Sequence, residues 1–199
     1  NLDDDYAESM AEASKGKVIT YSLSKDEADF TAKYIRFSEG ITDYVIVARE
    51  LIHRVRLQTP GNYNIYNSMA ALVASLKCGL TLEESANALR SFYGVKGRFE
   101  ILPIDRDYKV IIDYAHTPDG LENLLKTVKE ITAQKVVLVF GCGGNRSALR
   151  RFEMGEVSGK LADLTIITSD NPRFEEPEAI INDIKTGMEK TNGKYVAIV

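Results

Sequence analysis

Three runs of the sequence concentrate side chains that can do chemistry. Residues 113–119 (DYAHTPD) bring together a carboxylate, an imidazole and a proline. Residues 141–146 (GCGGNR) set an arginine behind three glycines, and residues 170–173 (DNPR) place an acid, an amide and a guanidinium around a proline. Asp113 ends a β-branched stretch, where a carboxylate can accept from ribose hydroxyls; His116 reads either as a structural imidazole or as part of the same site. The glycine run leaves backbone N–H groups unobstructed for an anion, or it makes a tight turn. It fits neither G-x-G-x-x-G nor G-x-x-x-x-G-K-[ST], so neither a dinucleotide nor a Walker assignment follows. Arg146 offers a fork suited to a carboxylate or phosphate, while Arg150 and Arg151 read as solvated helix-surface residues. The 170–173 run, Asp170, Asn171, Pro172 and Arg173, can hold both ends of a zwitterionic amino acid or simply turn the chain. Asn64 and Asn67 stand one turn apart at a helix start, so both amides can face one side, although capping alone would explain one of them. Cys142 reads as a small residue packed in a turn, and His53 as a strand residue.

The elements that must position these groups follow from periodicity. A short helix is expected over 3–14, with acids in its first turn, then a strand over 17–22. Residues 30–37, 44–47 and 51–58 are β-branched and aromatic and read as a small antiparallel group. From Asn62 the period changes: Tyr66, Met69, Ala70, Val73 and Leu76 mark an amphipathic helix ending near Gly79. A second helix over 82–92 starts behind Thr81, with Glu84 completing a capping box. The glycines of 94–97 mark a joint. Beyond it come strands over 99–104 and 109–113, a helix over 118–131, a strand over 135–140, a helix over 147–161, a strand over 164–168, a helix over 176–190 and a last strand from Lys194. Alternating strand and helix with short loops specify a parallel sheet, and ligands gather at the carboxyl ends of such strands. The three polar runs fall at those ends.

Composition narrows the partners. With 25 Lys+Arg against 29 Asp+Glu the chain carries a formal charge of −4, and no basic block offers a footprint for nucleic acid. The apolar stretches, such as 136–140, fall far short of the roughly 20 residues that cross a bilayer. Two cysteines are too few for a disulfide framework and suit a reducing cytoplasm. The opening without Met and the closing strand suggest a piece of something longer.

Six motifs, 1–4 (NLDD), 61–67 (GNYNIYN), 97–100 (GRFE), 113–119, 140–146 and 170–173, resemble those of the Mur ligase family in the family's order. These are ATP-dependent enzymes that add amino acids to the peptidoglycan precursor, and the resemblance spans essentially the whole chain. It implies an α/β chain. Residues 1–96 would be the C-terminal part of a central ATPase-type domain, and 97–199 a Rossmann-like, mostly parallel C-terminal domain truncated at its end. It places Asn64 and Asn67 near adenine, Arg98 near the ATP phosphates and Asp113 at the ribose, with His116 in the same motif. Arg146, Asp170, Asn171, Pro172 and Arg173 would hold the incoming amino acid. The DNPR form is similar to that of members accepting meso-diaminopimelate rather than lysine. Diaminopimelate carries a distal carboxylate beside its distal ammonium, where lysine has only the ammonium, and Arg173 attracts the one and repels the other.

The implied partners are UDP-N-acetylmuramoyl-L-alanyl-D-glutamate and meso-diaminopimelate, with ATP and Mg²⁺ as cofactors and no nucleic acid or membrane. The family's Gly-Lys-Thr phosphate loop, carbamylated lysine, most metal ligands and UDP-sugar domain are absent from the sequence. No catalytic or metal-ligating residue is therefore assigned within it, and the chain by itself is expected to be inactive. The alternatives are a lysine-adding member, a folylpolyglutamate synthase-like ligase, or a non-catalytic Rossmann-like module whose glycine loop takes another anion. Asp119 after His-Thr-Pro, together with Arg173, argues against the first two.

Overall fold

Two hydrophobic periods run through the chain, period two over residues 30–57 and, from Asn62 on, period 3.6, interrupted beyond residue 97 by short β-branched runs. The computed structural model describes residues 1–38 and 40–199, which divide into two units, Asn1–Lys96 and Gly97–Val199.

The first unit contains α1 (Ala7–Ala13), β1 (Tyr21–Ser22), β2 (Phe30–Ser38), β3 (Ile41–Ala48), β4 (Leu51–Leu57), α2 (Asn62–Lys77) and α3 (Leu82–Arg90). The strands form one sheet in the order β1-β2-β3-β4, with β1 parallel to β2 and the other pairs antiparallel. Alternation along β3 buries Thr42, Tyr44 and Ile46 on one face. Tyr44 and Ile46, with Phe30, Val55 and Leu57, meet Ile65, Met69 and Leu72 of α2 and Leu82 and Ala86 of α3. The buried Tyr44 hydroxyl lies 2.8 Å from Ser68 Oγ, so its polar tip stays hydrogen-bonded. The expected capping box forms: Thr81 Oγ1 accepts from Glu84 N, and Thr81 N donates to Glu84 Oε2 at 2.8 Å.

The first helix starts four residues later than expected, and β1 has two residues where six were anticipated. The cause is Asp3. Its carboxylate accepts from Ser22 Oγ at 2.6 Å, Ser24 Oγ at 2.5 Å, Leu23 N at 2.7 Å and Tyr66 Oη at 2.8 Å. Leu2 N–H also donates to Tyr21 O at 2.9 Å. These bonds hold the opening residues against β1 and α2 in local turns, in competition with a helix. Burial alone would raise the Asp3 pKa, but the four donors outweigh it and hold the carboxyl well below the usual aspartate range.

The second unit runs β5 (Glu100–Ile101), β6 (Ile111–Ile112), α4 (Pro118–Ile131), β7 (Val137–Phe140), α5 (Ala148–Leu161), β8 (Leu164–Thr168), α6 (Pro177–Met188) and β9 (Tyr195–Ile198). Strands β7, β8 and β9 form a parallel sheet in that order, with α5 and α6 as the crossovers. Among the described residues, β5 and β6 stand apart as an antiparallel pair instead of leading the parallel series. The connection between them is too short for a crossover, which needs a dozen residues or more. Leu121, Leu125, Val136 and Met154 form one part of the core. Ile167, Ile180, Ile181, Ile184 and Met188 form another.

Helices α5 and α6 touch backbone to backbone. A Cβ added at Gly155 would lie 2.1 Å from Ile184 O, and one at Gly187 would lie 1.9 Å from Phe152 O. Alanine at 187 gains up to about 1 kcal/mol of helix propensity, whereas forcing a methyl into packed structure costs about 1–3 kcal/mol. Gly187→Ala is therefore expected to lower the urea midpoint of the second unit; an unchanged or higher midpoint would show that the helices have slack. Asp3→Asn puts an amide NH₂ where donors already point, and should destabilise the first unit by about 1–3 kcal/mol at neutral pH. The folded-state pKa lies below the usual 3.8, so the ionised carboxylate's contribution is complete above that value and is lost as pH falls below it. The gap between wild type and variant in urea melts should close on acidification below pH 4 or so; a gap constant with pH would contradict the network.

Candidate functional site

The strand ends of the second unit aim three loops at one place. Residues 113–117 leave β6, residues 141–147 leave β7 and residues 169–176 leave β8, and members of all three line a cleft of about 480 Å³. Asp113 and His116 come from the first loop, Arg146 from the second, and Asp170, Asn171 and Arg173 from the third. Arg150 and Arg151 of α5 complete the wall. Pro172 is outside this lining, and its carbonyl is pressed against Gly144.

The glycines are there because two loops meet main chain to main chain. A Cβ at Gly144 would sit 1.8 Å from Pro172 O, and one at Gly141 would sit 2.3 Å from Thr168 O. Gly144 N–H donates to Asn171 O at 2.8 Å, and Asn145 N–H donates to the Glu175 carboxylate. Two amides of the glycine run are thus already engaged, which favours the tight-turn reading of this loop over an anion cradle. Asn145 and Arg173 both adopt the left-handed conformation, with φ of 53° and 54°. Such non-glycine residues cost energy and persist only where the surroundings hold them.

Asp113 is held by its own neighbours, accepting from Phe99 N at 2.8 Å and Ala115 N at 2.7 Å. Each oxygen keeps a lone pair for a further donor. The guanidinium of Arg98 stacks over the Tyr114 ring at 4.4 Å from its centroid, a cation–π geometry. The same ring meets His116 edge-on at 5.2 Å, and His116 Nδ1 lies 3.1 Å from Tyr114 O. Asn64 and Asn67 belong to the first unit. The Asn64 carboxamide donates back to Pro60 O at 2.7 Å and so closes its own turn, while Asn67 is exposed. The local bond of Asn64 fits the reading in which capping alone accounts for one of the two amides.

Arg151 overturns the sequence reading outright. Expected on a solvated surface, it is 3% exposed. Its two terminal nitrogens grip Glu175 at 2.8 and 2.7 Å, and Nη1 also donates to Asp183 Oδ2 at 2.9 Å. Arg151, then the Asn145 N–H, hold the Glu175 carboxyl down to about 2. The missed signal was periodic: Arg151, Met154, Gly155 and Ser158 share the buried stripe of α5. Among the described residues no cluster of three or more His, Cys, Asp or Glu side chains could hold a metal ion. None of the described helices is long and apolar enough to cross a membrane.

Burial pushes the Cys142 thiol up to about 11, and its Sγ sits 3.8 Å from Met154 Sδ. It stays protonated until the pH approaches that value, whereas Cys78 is exposed. Iodoacetamide at pH 8 should modify Cys78 faster than Cys142 by about tenfold or more, because the thiolate is the reactive form. Peptide mass spectrometry showing equal rates would contradict the packed environment.

Comparison with known proteins matches residues 97–198 to the Mur ligase glutamate ligase domain and residues 1–75 to the Mur ligase middle domain. The UDP-N-acetylmuramoyl-L-alanyl-D-glutamate–2,6-diaminopimelate ligase of Caldanaerobacter subterraneus subsp. tengcongensis is 45% identical over 198 residues, covering 100% of this chain and 41% of that ligase. A solved structure of a ligase with the same name is 32% identical, with a TM-score of 0.60 over 100% of this chain and 42% of its own. MurF from Acinetobacter baumannii, 19% identical, superposes with a TM-score of 0.78 over 98% of this chain and 40% of its own, and shares the fold. The chain spans about two fifths of the length of the curated relatives it matches.

Proposed function

Because the chain belongs to the Mur ligase family, we propose that it supplies part of a longer, ATP-dependent cytoplasmic ligase. That enzyme joins meso-diaminopimelate to UDP-N-acetylmuramoyl-L-alanyl-D-glutamate during peptidoglycan precursor synthesis. The observation that carries this reading is the presence of Arg146 and Arg173, from separate loops, on one cleft with Asp170 and Asn171. Two guanidiniums suit the two carboxylates of diaminopimelate, and an acid beside them suits an ammonium. Lysine offers Arg173 an ammonium and is repelled.

In this reading residues 1–96 close the central domain and 97–199 form most of the Rossmann-like domain that delivers the amino acid. The D-glutamate carboxylate attacks the γ-phosphorus of ATP, releasing ADP. The diaminopimelate amine then attacks the acyl phosphate through a tetrahedral intermediate that expels phosphate. Arg98 approaches the phosphates, where a fixed cation offsets developing negative charge, and its stacking on Tyr114 limits its motion. Asp113, already oriented by two backbone donors, accepts from the ribose; His116 lies in the same loop. Asn64 and Asn67 stand by the adenine. Mg²⁺, when bound, neutralises phosphoryl charge, and it is assigned no ligand from this chain.

The test is steady-state phosphate release by the full-length protein. Arg173→Leu should lower kcat/KM for meso-diaminopimelate by about a hundredfold, in the range for truncating one member of a close charge pair, and leave the KM for ATP unchanged. Undiminished use of diaminopimelate by this variant would overturn the assignment.

A further inference from the structure

Two exposed arginines on separate loops recognise a small ligand well only if their backbones are held still. We propose that Arg151 and Glu175 form a positioning clamp that sets Arg146 and Arg173 at the spacing a dicarboxylic diamino acid requires. This deepens the function proposed above and rests on it for the identity of the substrate.

The geometry is specific. The Arg151 side chain is 4% exposed and presents its two terminal nitrogens as a fork to the two oxygens of Glu175. Its bond to Asp183 anchors the guanidinium on α6 as well. Glu175 Oε1 also accepts from Asn145 N–H, and Asn145 immediately precedes Arg146. Glu175 lies two residues after Arg173. One guanidinium–carboxylate pair thereby reaches the backbone beside both substrate-facing arginines. Phe174 N–H adds a bond to Asn145 Oδ1 at 3.4 Å. The two left-handed residues, Asn145 and Arg173, flank this pair, and their conformations need such restraint. A lysine could supply charge at 151 but not two parallel donors, so the fork and not the charge is what positions. Arg151 acts through its neighbours and is a positioning residue, not a catalytic one.

The experiment measures KM for each substrate, kcat and Tm on the full-length protein for Glu175→Gln, Arg151→Lys and the core control Ile184→Val. Glu175→Gln is isosteric and its side chain is one-third exposed, so it tests the clamp without rebuilding the core. Both clamp variants should raise the KM for diaminopimelate about tenfold or more, as loss of a charge-assisted fork requires, and leave the KM for ATP within about twofold. Ile184→Val should lower Tm without moving either KM. Clamp variants that lower Tm but keep the wild-type KM for diaminopimelate would reduce the pair to a helix staple and overturn the proposal. So would a fully active Arg151→Lys, or an equal rise in KM for both substrates. If the wild type instead uses another amino acid and the KM for that one rises in the variants, the substrate reading fails and the clamp stands. If the wild type uses diaminopimelate and the variants bind it normally, the clamp alone fails.

Discussion

The contact between the main chains of residues 141–145 and 168–175 governs the rest of the second unit. Those segments leave adjacent parallel strands, β7 and β8, and come so close that no side chain fits at Gly144 or Gly141. Such an approach is available only where the partners are backbone and the Cβ is missing. The hydrogen bond from Gly144 to Asn171 registers one loop against the other, and the buried Arg151 ties both together through Glu175. The cleft is the space left in front of that seam. Its arginines can be exposed and still ordered because the order is imposed from the main chain behind them.

Burying Arg151 would be costly if it stood alone. Glu175 and Asp183 supply two carboxylates to its terminal nitrogens, but Nε stays buried without a hydrogen-bond partner among the described residues, so the attraction does no more than offset the desolvation penalty. Net stability is then a weak reason for the pair, and conformational definition of the loops is a better one. Asp3 plays a comparable part in the first unit. One carboxylate gathers donors from Ser22, Leu23, Ser24 and Tyr66, joining the opening segment to β1 and α2. In both units a charge with several donors or acceptors fixes loop geometry that apolar packing, being non-directional, leaves undetermined.

Much of this was legible in the sequence. Helix α4 and strand β8 fall at the residues that periodicity, the Thr-Pro start and the β-branched run marked. The capping box at Thr81 and Glu84 was readable because both partners lie within one turn. The polar runs at 141–146 and 170–173 could be placed at strand ends because parallel α/β topology puts strand-to-helix loops there, whereas the run at 113–119 follows β6 of the antiparallel pair. What escaped depends on contacts distant in sequence. Arg151 looked solvated because its acidic partners lie 24 and 32 residues away. The late start of α1 depends on Ser22, Leu23, Ser24 and Tyr66, which local helix propensity ignores. The antiparallel β5–β6 pair follows from a connection too short to cross over, a length signal that the regular alternation obscured.

Gly144 offers the most direct measurement, since it is absent from the cleft lining yet sits at the seam. Calorimetric titration of meso-diaminopimelate into full-length Gly144→Ala, shown by its melt to be folded, isolates the role of the loop contact. The wedge of one methyl against Pro172 O should weaken binding by about tenfold or more, the order expected when a misplaced support moves a binding group by about an ångström. Wild-type affinity in that variant would mean that the arginines find their positions without the seam, and the account given for the cleft would be wrong.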